Sequence, residues 1–210
     1  MPCGATISPL TERDILAVPV SLERKQALRK ALSVPEEKML LSVGQFIPRK
    51  GFDVLLQAVN ALDKHIGVYI VGGKPTEEYL TYARENDLTN VHFVGFKTKQ
   101  ELENYYLAAD LFVLPTREDI WGLVVGEAMS CGLGVITTTM CNAGLTLIDN
   151  GKNGFLVPPE DVRALRMAIT DAIVHSAAFG AAALETIRPY TVETMAADHM
   201  RILAELQKEK

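Results

Sequence analysis

Six short apolar segments, each running into Gly, Pro or Thr, punctuate this chain: MLLSVG (39–44), VYIVGG (68–73), VHFVG (91–95), LFVLPT (111–116), GVITTT (134–139) and GFLVP (154–158). Stretches of helical period lie between them. Phe52, Leu55, Leu56, Val59 and Leu62 recur at i, i+3, i+4, i+7 and i+10, and Leu102, Tyr105, Tyr106 and Ala109 repeat the spacing. Strands that alternate with helices pair in parallel, and strands apolar at nearly every position must be covered on both faces. The expectation is an α/β domain with a doubly wound, Rossmann-like parallel sheet of about six strands over roughly residues 38–176. Ligands of such sheets bind beyond the carboxyl ends of the strands, so the segment ends are where chemistry is sought.

With 210 residues, 48% of them hydrophobic and 22% charged, the chain can bury the core such a sheet needs. Its net charge is −5, and its basic residues are spread along the chain, which argues against nucleic acid as a partner. Cys3, Cys131 and Cys141 form no C-x-x-C pair and fit neither a disulfide framework nor a zinc site. No run approaches the roughly 18–20 apolar residues that span a bilayer, and MPCGATISPL lacks the order of a signal peptide. The expected location is a reducing cytoplasm, with a peripheral place at the inner face of the membrane as a second option for a longer protein.

Residues 1–37 stand outside the strand-and-helix rhythm and are read as a lead-in segment. It holds one amphipathic helix, with Ser21 as N-cap, Leu28, Ala31 and Leu32 on one side, and a stop before Pro35. Residues 38–210 form the main domain, including C-terminal helices. Thr191 is a candidate cap for the last of these, whose apolar side carries Val192, Met195, Ala196, His199, Leu203 and Leu206.

Three segment ends carry candidate chemistry. In SVGQFIPRKGFDVLLQA, Gly44 ends a strand, Arg49 and Lys50 follow in a loop, and Gly51 opens a helix. A helix start offers free N–H groups and Lys50 a full charge, which suits phosphate, although a solvated loop charge is the commoner role for a lysine taken alone. The spacing is neither that of a Walker A loop nor G-x-G-x-x-G. In PTREDIWGLVVGEAMSCGLGVI, a helix starting near Gly122 places Glu127 in its second turn, about 7 Å along the axis, with Asp119 in the loop before it.

The neighbours of Glu127 are apolar, and a carboxylate there needs hydrogen-bonded partners. A hydroxyl-rich ligand would supply them; so would the backbone of an adjacent loop, with Asp119 acting only as a cap. Trp121 reads as a hydrophobic staple, while the amides of Gly122 and Leu123 remain open to an anion. In VHFVGFKTKQELENYY, Gly95 and Phe96 lie at a strand end, where Phe96 either packs in the core or faces a planar base, and Thr98 with Glu101 forms a capping box. His65, His92, His175 and His199 show no metal-ligand spacing, and no residue set here calls for a metal or a resident cofactor.

Taken in order, SVGQFIPRKGFDVLLQA, YIVGGKP, VHFVGF, AADLFVLPTREDIWGLVVGEAMSCGLGVI and LIDNGKNGFLVPPED resemble the retaining family-four glycosyltransferases of the GT-B type, over roughly residues 38–205. Those enzymes have two Rossmann-like halves, and this chain resembles the second, which holds the nucleoside-diphosphate sugar. The resemblance implies that Glu127 binds ribose hydroxyls and that Asp119, standing where the family has the first Glu of an E-x7-E pair, meets donor-sugar hydroxyls. Asp119 is one methylene shorter, and Glu118 beside it can make up the reach.

Lys50 corresponds to the family's phosphate-binding lysine. Gln45 stands in place of the usual arginine and can bond a phosphate oxygen without neutralising it, so either Arg49 contributes or less charge is balanced than in the family. The resemblance further assigns Gly44 and Gly73 to the donor-facing strand ends, Gly95 and Phe96 to the base, Thr116 to the nucleotide pocket, and Trp121, Gly122 and Leu123 to diphosphate and sugar contacts. It implies transfer of a sugar with retained configuration, without a metal in this domain, in surface polysaccharide synthesis. A missing N-terminal acceptor-binding domain, inactivity of the fragment alone, and self-association through an exposed interdomain surface follow as expectations. A sugar-nucleotide epimerase domain and a non-catalytic nucleotide-sugar-binding module are the competing readings.

Overall fold

The computed structural model describes residues 10–208. Strands β1 (Lys38–Val43), β2 (Ile66–Val71), β3 (Val91–Val94), β4 (Leu111–Leu114), β5 (Gly134–Thr138) and β6 (Gly154–Val157) form one sheet in the order β3-β2-β1-β4-β5-β6. Every pairing within it is parallel. The central strands are buried along nearly their whole length, as continuous apolar sequence requires. All six segments read as strands from the sequence are strands.

The helices divide between two faces. Helices α1 (Leu22–Ala31), α4 (Lys99–Ala108), α5 (Leu123–Ser130), α6 (Asn142–Leu147) and α8 (Ser176–Ile187) pack with Met39, Leu41, Phe112 and Leu114 on one side. Helices α2 (Phe52–Val59), α3 (Glu77–Glu85) and α7 (Val162–Val174) cover Leu40, Ile70, Leu111 and Val113 on the other. This alternation within each strand is the period-two pattern of a sheet sandwiched between helix layers. The final helix, α9 (Val192–Lys208), leaves the body after Thr191, whose hydroxyl accepts from the Thr194 amide at 3.2 Å.

The chain winds outward from β1 to β3, returns through α4 to β4 beside β1, and winds outward again. Successive connections therefore diverge to opposite faces at the β1/β4 junction, where a crevice opens beyond the strand ends. Helix α2 ends at Val59, short of Leu62, and α6 is a short helix that the periodicity did not disclose.

The segment read as a lead-in is, within the described residues, part of the domain's packing. Ser21 caps α1 through the Arg24 amide, Leu28 packs on the core, and Leu10 and Val34 are buried, whereas Ala31 is exposed. Arg29, 8% exposed, donates to the carbonyls of Ala108 at 2.9 Å and Glu37 at 2.7 Å and to Asp110 at 2.6 Å. Asp110 also accepts from the Met39 amide, so one buried pair fastens α1 to the starts of β1 and β4. Removing either partner of such a pair costs about 3–5 kcal/mol. Among the described residues no single helix is long and apolar enough to cross a membrane.

Candidate functional site

Two loops face each other across the β1/β4 junction. Residues 44–51 leave β1 for α2, and residues 115–122 leave β4 for α5. Lys50 Nζ donates to Asp119 Oδ2 at 2.6 Å, with each side chain 13% exposed. Arg49 Nη1 lies 3.8 Å from the same carboxylate oxygen and donates to the Glu118 carbonyl at 3.0 Å. One carboxylate thus stands against two cations.

Backbone packing enforces this approach. Gly51 has φ 67°, and a Cβ there would lie 2.0 Å from the Pro115 carbonyl oxygen, so only glycine lets the two loops meet. Thr116, 0% exposed, directs its hydroxyl at the carbonyls of Arg49 and Glu118, at 2.9 and 2.8 Å. The family resemblance assigns Thr116 to the nucleotide pocket; the structure places it beneath the junction, where it holds the loops together. The Arg117 amide donates to the Arg49 carbonyl, and its guanidinium grips Asp53 at 2.7 and 3.0 Å and Glu160 at 2.9 Å.

The loop into α5 is splinted from the other side by the connection after β5. The Asp119 amide donates to the Met140 carbonyl at 2.9 Å, Asn142 Nδ2 to Ile120 at 2.7 Å, and the Ala143 amide to Trp121 at 2.8 Å. Asp119 is therefore not a helix cap. That position belongs to Gly122, in the left-handed region at φ 85°, which no side chain caps. The amides of Gly122, Leu123 and Val124 have no acceptor among the described residues, so the start of α5 presents open donors beside Lys50. Trp121 is partly buried against the core, and Leu123 is 45% exposed.

Glu127 is partly buried on α5 and accepts from Tyr106 of α4 through Oε2 at 2.9 Å. Neither of the two partners foreseen for it, a ligand or loop backbone, is this one. Burial first, and the Glu127 charge second, hold the Tyr106 phenol well above its ordinary pKa, so it stays protonated and keeps donating. The phenol satisfies one oxygen of the acid; the other has no partner among the described residues.

The remaining assigned positions line the strand ends. Gly44 and Gly73 follow β1 and β2, and nothing lies within 4 Å of where a Cβ of Gly73 or Gly95 would be. Phe96 is 82% exposed, which rules out a core role and leaves a flat aromatic face beside Gly95. Gln45 and Glu118 are exposed. The capping box of Thr98 and Glu101 is formed. Among the described residues no three His, Cys, Asp or Glu side chains form a group able to hold a metal.

Sequence reasoning missed Tyr106, Arg117 and Asn142. The helical stripe marks Tyr106 only as a core position, while its phenol bonds Glu127, 21 residues away. Arg117 and Asn142 sit inside quoted segments, but neither has a local pattern that announces its partners. What the arrangement offers chemically is an anion cradle of lysine, arginine and open amides, with an acid on either side of a helix start. It is an α/β domain of the doubly wound class, with its crevice at the switch point.

The family described as Glycosyl transferases group 1 matches residues 23–183. An uncharacterized glycosyltransferase of Methanocaldococcus jannaschii is 30% identical over 63% of the chain and 37% of its own length. A D-inositol 3-phosphate glycosyltransferase of Corynebacterium jeikeium is 32% identical over 77% of the chain and 40% of its own. The amylovoran biosynthesis glycosyltransferase AmsK of Erwinia amylovora is 31% identical over 79% and 42%.

Among solved structures, sucrose-phosphate synthase from Thermosynechococcus elongatus superposes with TM-score 0.79 at 27% identity, over 97% of this chain and 52% of that one. Anabaena HepE in complex with UDP-glucose gives TM-score 0.78 at 22% identity, over 93% and 56%. The C-terminal domain of a group 1 glycosyl transferase, LpcC, from Francisella tularensis gives TM-score 0.73 at 18% identity, over 87% of this chain and 99% of that domain. The chain belongs to the group 1 glycosyltransferases, and its fold is that of one half of a GT-B enzyme. It spans 37–42% of the length of the three curated relatives named.

Proposed function

We propose that the β1/β4 crevice holds the diphosphate of a nucleoside-diphosphate sugar, and that the chain is the donor-binding domain of a retaining glycosyltransferase. The observation that carries the reading is the Lys50–Asp119 pair, set at the switch point against the uncapped start of α5. Asp119 neutralises Lys50. A diphosphate carries more charge than one carboxylate and takes over the lysine, which frees Asp119 to accept from hydroxyls of the sugar.

Arg49 and the amides of Gly122 and Leu123 add to the cradle, and these groups stabilise the leaving nucleoside diphosphate as the sugar departs, without a metal ion drawn from this domain. Glu127, with one oxygen held by Tyr106, keeps the other for ribose hydroxyls. The exposed face of Phe96 and the open backbone at Gly95 suit the base. UDP-glucose bound by HepE, which shares the fold, supports this class of donor. Relatives named for amylovoran and teichuronic acid biosynthesis support a surface polysaccharide as the product. An acceptor site in a second, N-terminal domain completes the enzyme, and the chain alone binds donor without transferring it.

Calorimetric titration with UDP, GDP, ADP and their sugars tests this. At least one nucleoside diphosphate binds the wild type, Lys50→Ala weakens it at least tenfold, and Asp119→Asn keeps it while losing the preference for the sugar-bearing form. Equal affinity in wild type and Lys50→Ala overturns the assignment of the crevice.

A further inference from the structure

Arg117 grips, from outside, the turn that carries Lys50. Pro48–Lys50 forms a 3-10 turn, closed by the Lys50 amide on the Ile47 carbonyl at 3.0 Å. The carbonyls of Pro48 and Arg49, which precede Lys50, both bond residue 117. That of Arg49 accepts from the Arg117 amide at 2.8 Å and shares the Thr116 hydroxyl, and that of Pro48 accepts from Arg117 Nη1. Replacing the side chain leaves the amide bond and removes the guanidinium one.

The guanidinium is itself fixed from other elements. Nη1 and Nη2 meet both oxygens of Asp53 on α2, at 3.0 and 2.7 Å, and Nε meets Glu160, in the loop after β6, at 2.9 Å. A planar fork makes these bonds together, which the compact ammonium of a lysine cannot do. Paired with both acids, Arg117 supplies the crevice with position rather than charge. The side chains of Asp53 and Glu160 are 43% and 65% exposed, and ion pairs this open contribute little to stability, so the clamp acts on geometry first. Lys50 is constrained along its length as well. Its methylenes run over Gly44, where a Cβ would lie 3.4 Å from Cδ and Cε, and its ammonium meets Asp119 at 2.6 Å. A shift of the Pro48 and Arg49 peptides therefore carries the ammonium out of register with the start of α5.

We infer that Arg117 is a positioning residue: its guanidinium holds the Pro48–Lys50 turn against α2 and the loop after β6, and so places the Lys50 ammonium in the crevice. The value of that placement to donor binding rests on the reading of the crevice as a diphosphate site.

The test follows Lys50 with and without nucleotide. In the ligand-free chain, acetylation of Lys50 by acetic anhydride is followed by mass spectrometry against Lys99, whose side chain is 90% exposed. Arg117→Gln should raise the Lys50 rate about threefold as its anchorage loosens. Asp53→Asn, which weakens one grip on the guanidinium, should raise it less, and it keeps the test valid if Arg117→Gln unfolds the chain. In calorimetry with UDP, GDP and ADP, Arg117→Gln should weaken the tightest of them about fivefold. In a Lys50→Ala background the same replacement should cost nothing further, because a residue that acts through another is not additive with it. Arg117→Lys should leave the affinity low, whereas a contribution of charge alone would be restored by it. Lys50 labelling unchanged in both variants, a loss that recurs in full in Lys50→Ala, or full affinity in Arg117→Lys would each overturn the inference. A wild type that binds no nucleoside diphosphate overturns the donor reading instead, and the labelling rates still decide whether Arg117 places Lys50.

Discussion

Tyr106 is the residue through which the role of Glu127 is tested most directly. A carboxylate on an apolar helix has to be satisfied, and the buried phenol satisfies half of it. Only the unpartnered oxygen is then available to a ligand. On the proposed reading, the chain prefers ribonucleoside diphosphates over their 2′-deoxy counterparts. Glu127→Ala removes that preference, and Tyr106→Phe, which leaves the carboxylate unoriented, narrows it about fivefold. Competition binding with paired ribo- and deoxynucleotides measures both, and a preference that survives in Glu127→Ala removes the ribose role. At the same scale, the Asp-for-Glu difference at position 119 is compatible with the pairing to Lys50 at 2.6 Å, so the shorter side chain still reaches the lysine.

At the scale of elements, the site is made by loops that are themselves held by other elements. The loop after β1 meets the loop after β4 because Gly51 allows contact with Pro115. The loop after β4 is in turn supported by Met140, Asn142 and Ala143. Gly51→Ala combines an unfavourable left-handed residue with a Cβ 2.0 Å from a carbonyl oxygen, and it should destabilise the domain by about 1–3 kcal/mol. Urea unfolding followed by circular dichroism reads this out, and an unchanged midpoint would show that the loops part without cost. Nucleotide affinity should fall in the same variant, because the loop it displaces carries Lys50.

At the scale of the whole molecule, α9 stands apart from the two helix layers. The hydrogen bonds that tie it to the rest of the chain, among the described residues, lie at its first turn: the Val192 amide donates to the Leu10 carbonyl, and the Glu12 amide donates to the Glu193 carboxylate. Met200, Leu203 and Leu206 along it are 67%, 55% and 56% exposed. On the proposed reading, this row of apolar side chains is the face through which the chain self-associates or meets a second domain. The isolated chain should show a sedimentation coefficient that rises with concentration, and Leu203→Glu with Leu206→Glu should abolish the rise. A wild type that stays monomeric at every concentration would refute self-association.

Strand positions, the caps at Ser21, Thr98 and Thr191, and the covering of the sheet on both faces were all determined by the sequence itself. Each depends on residues within a turn or two of one another, where periodicity and hydrogen-bonding side chains act directly. Lys50, Asp119 and Glu127 could be singled out in the same way, as charges at strand ends or on an apolar helix. Only the tertiary structure decided that Lys50 and Asp119, 69 residues apart, share a proton donor and acceptor. It likewise decided that Thr116 works beneath the loops, that Tyr106 holds Glu127, and that Leu10, Leu28 and Val34 pack on the core. Those contacts follow from strand order, and strand order is settled by how two helix layers pack on one sheet, which no local stretch of chain encodes.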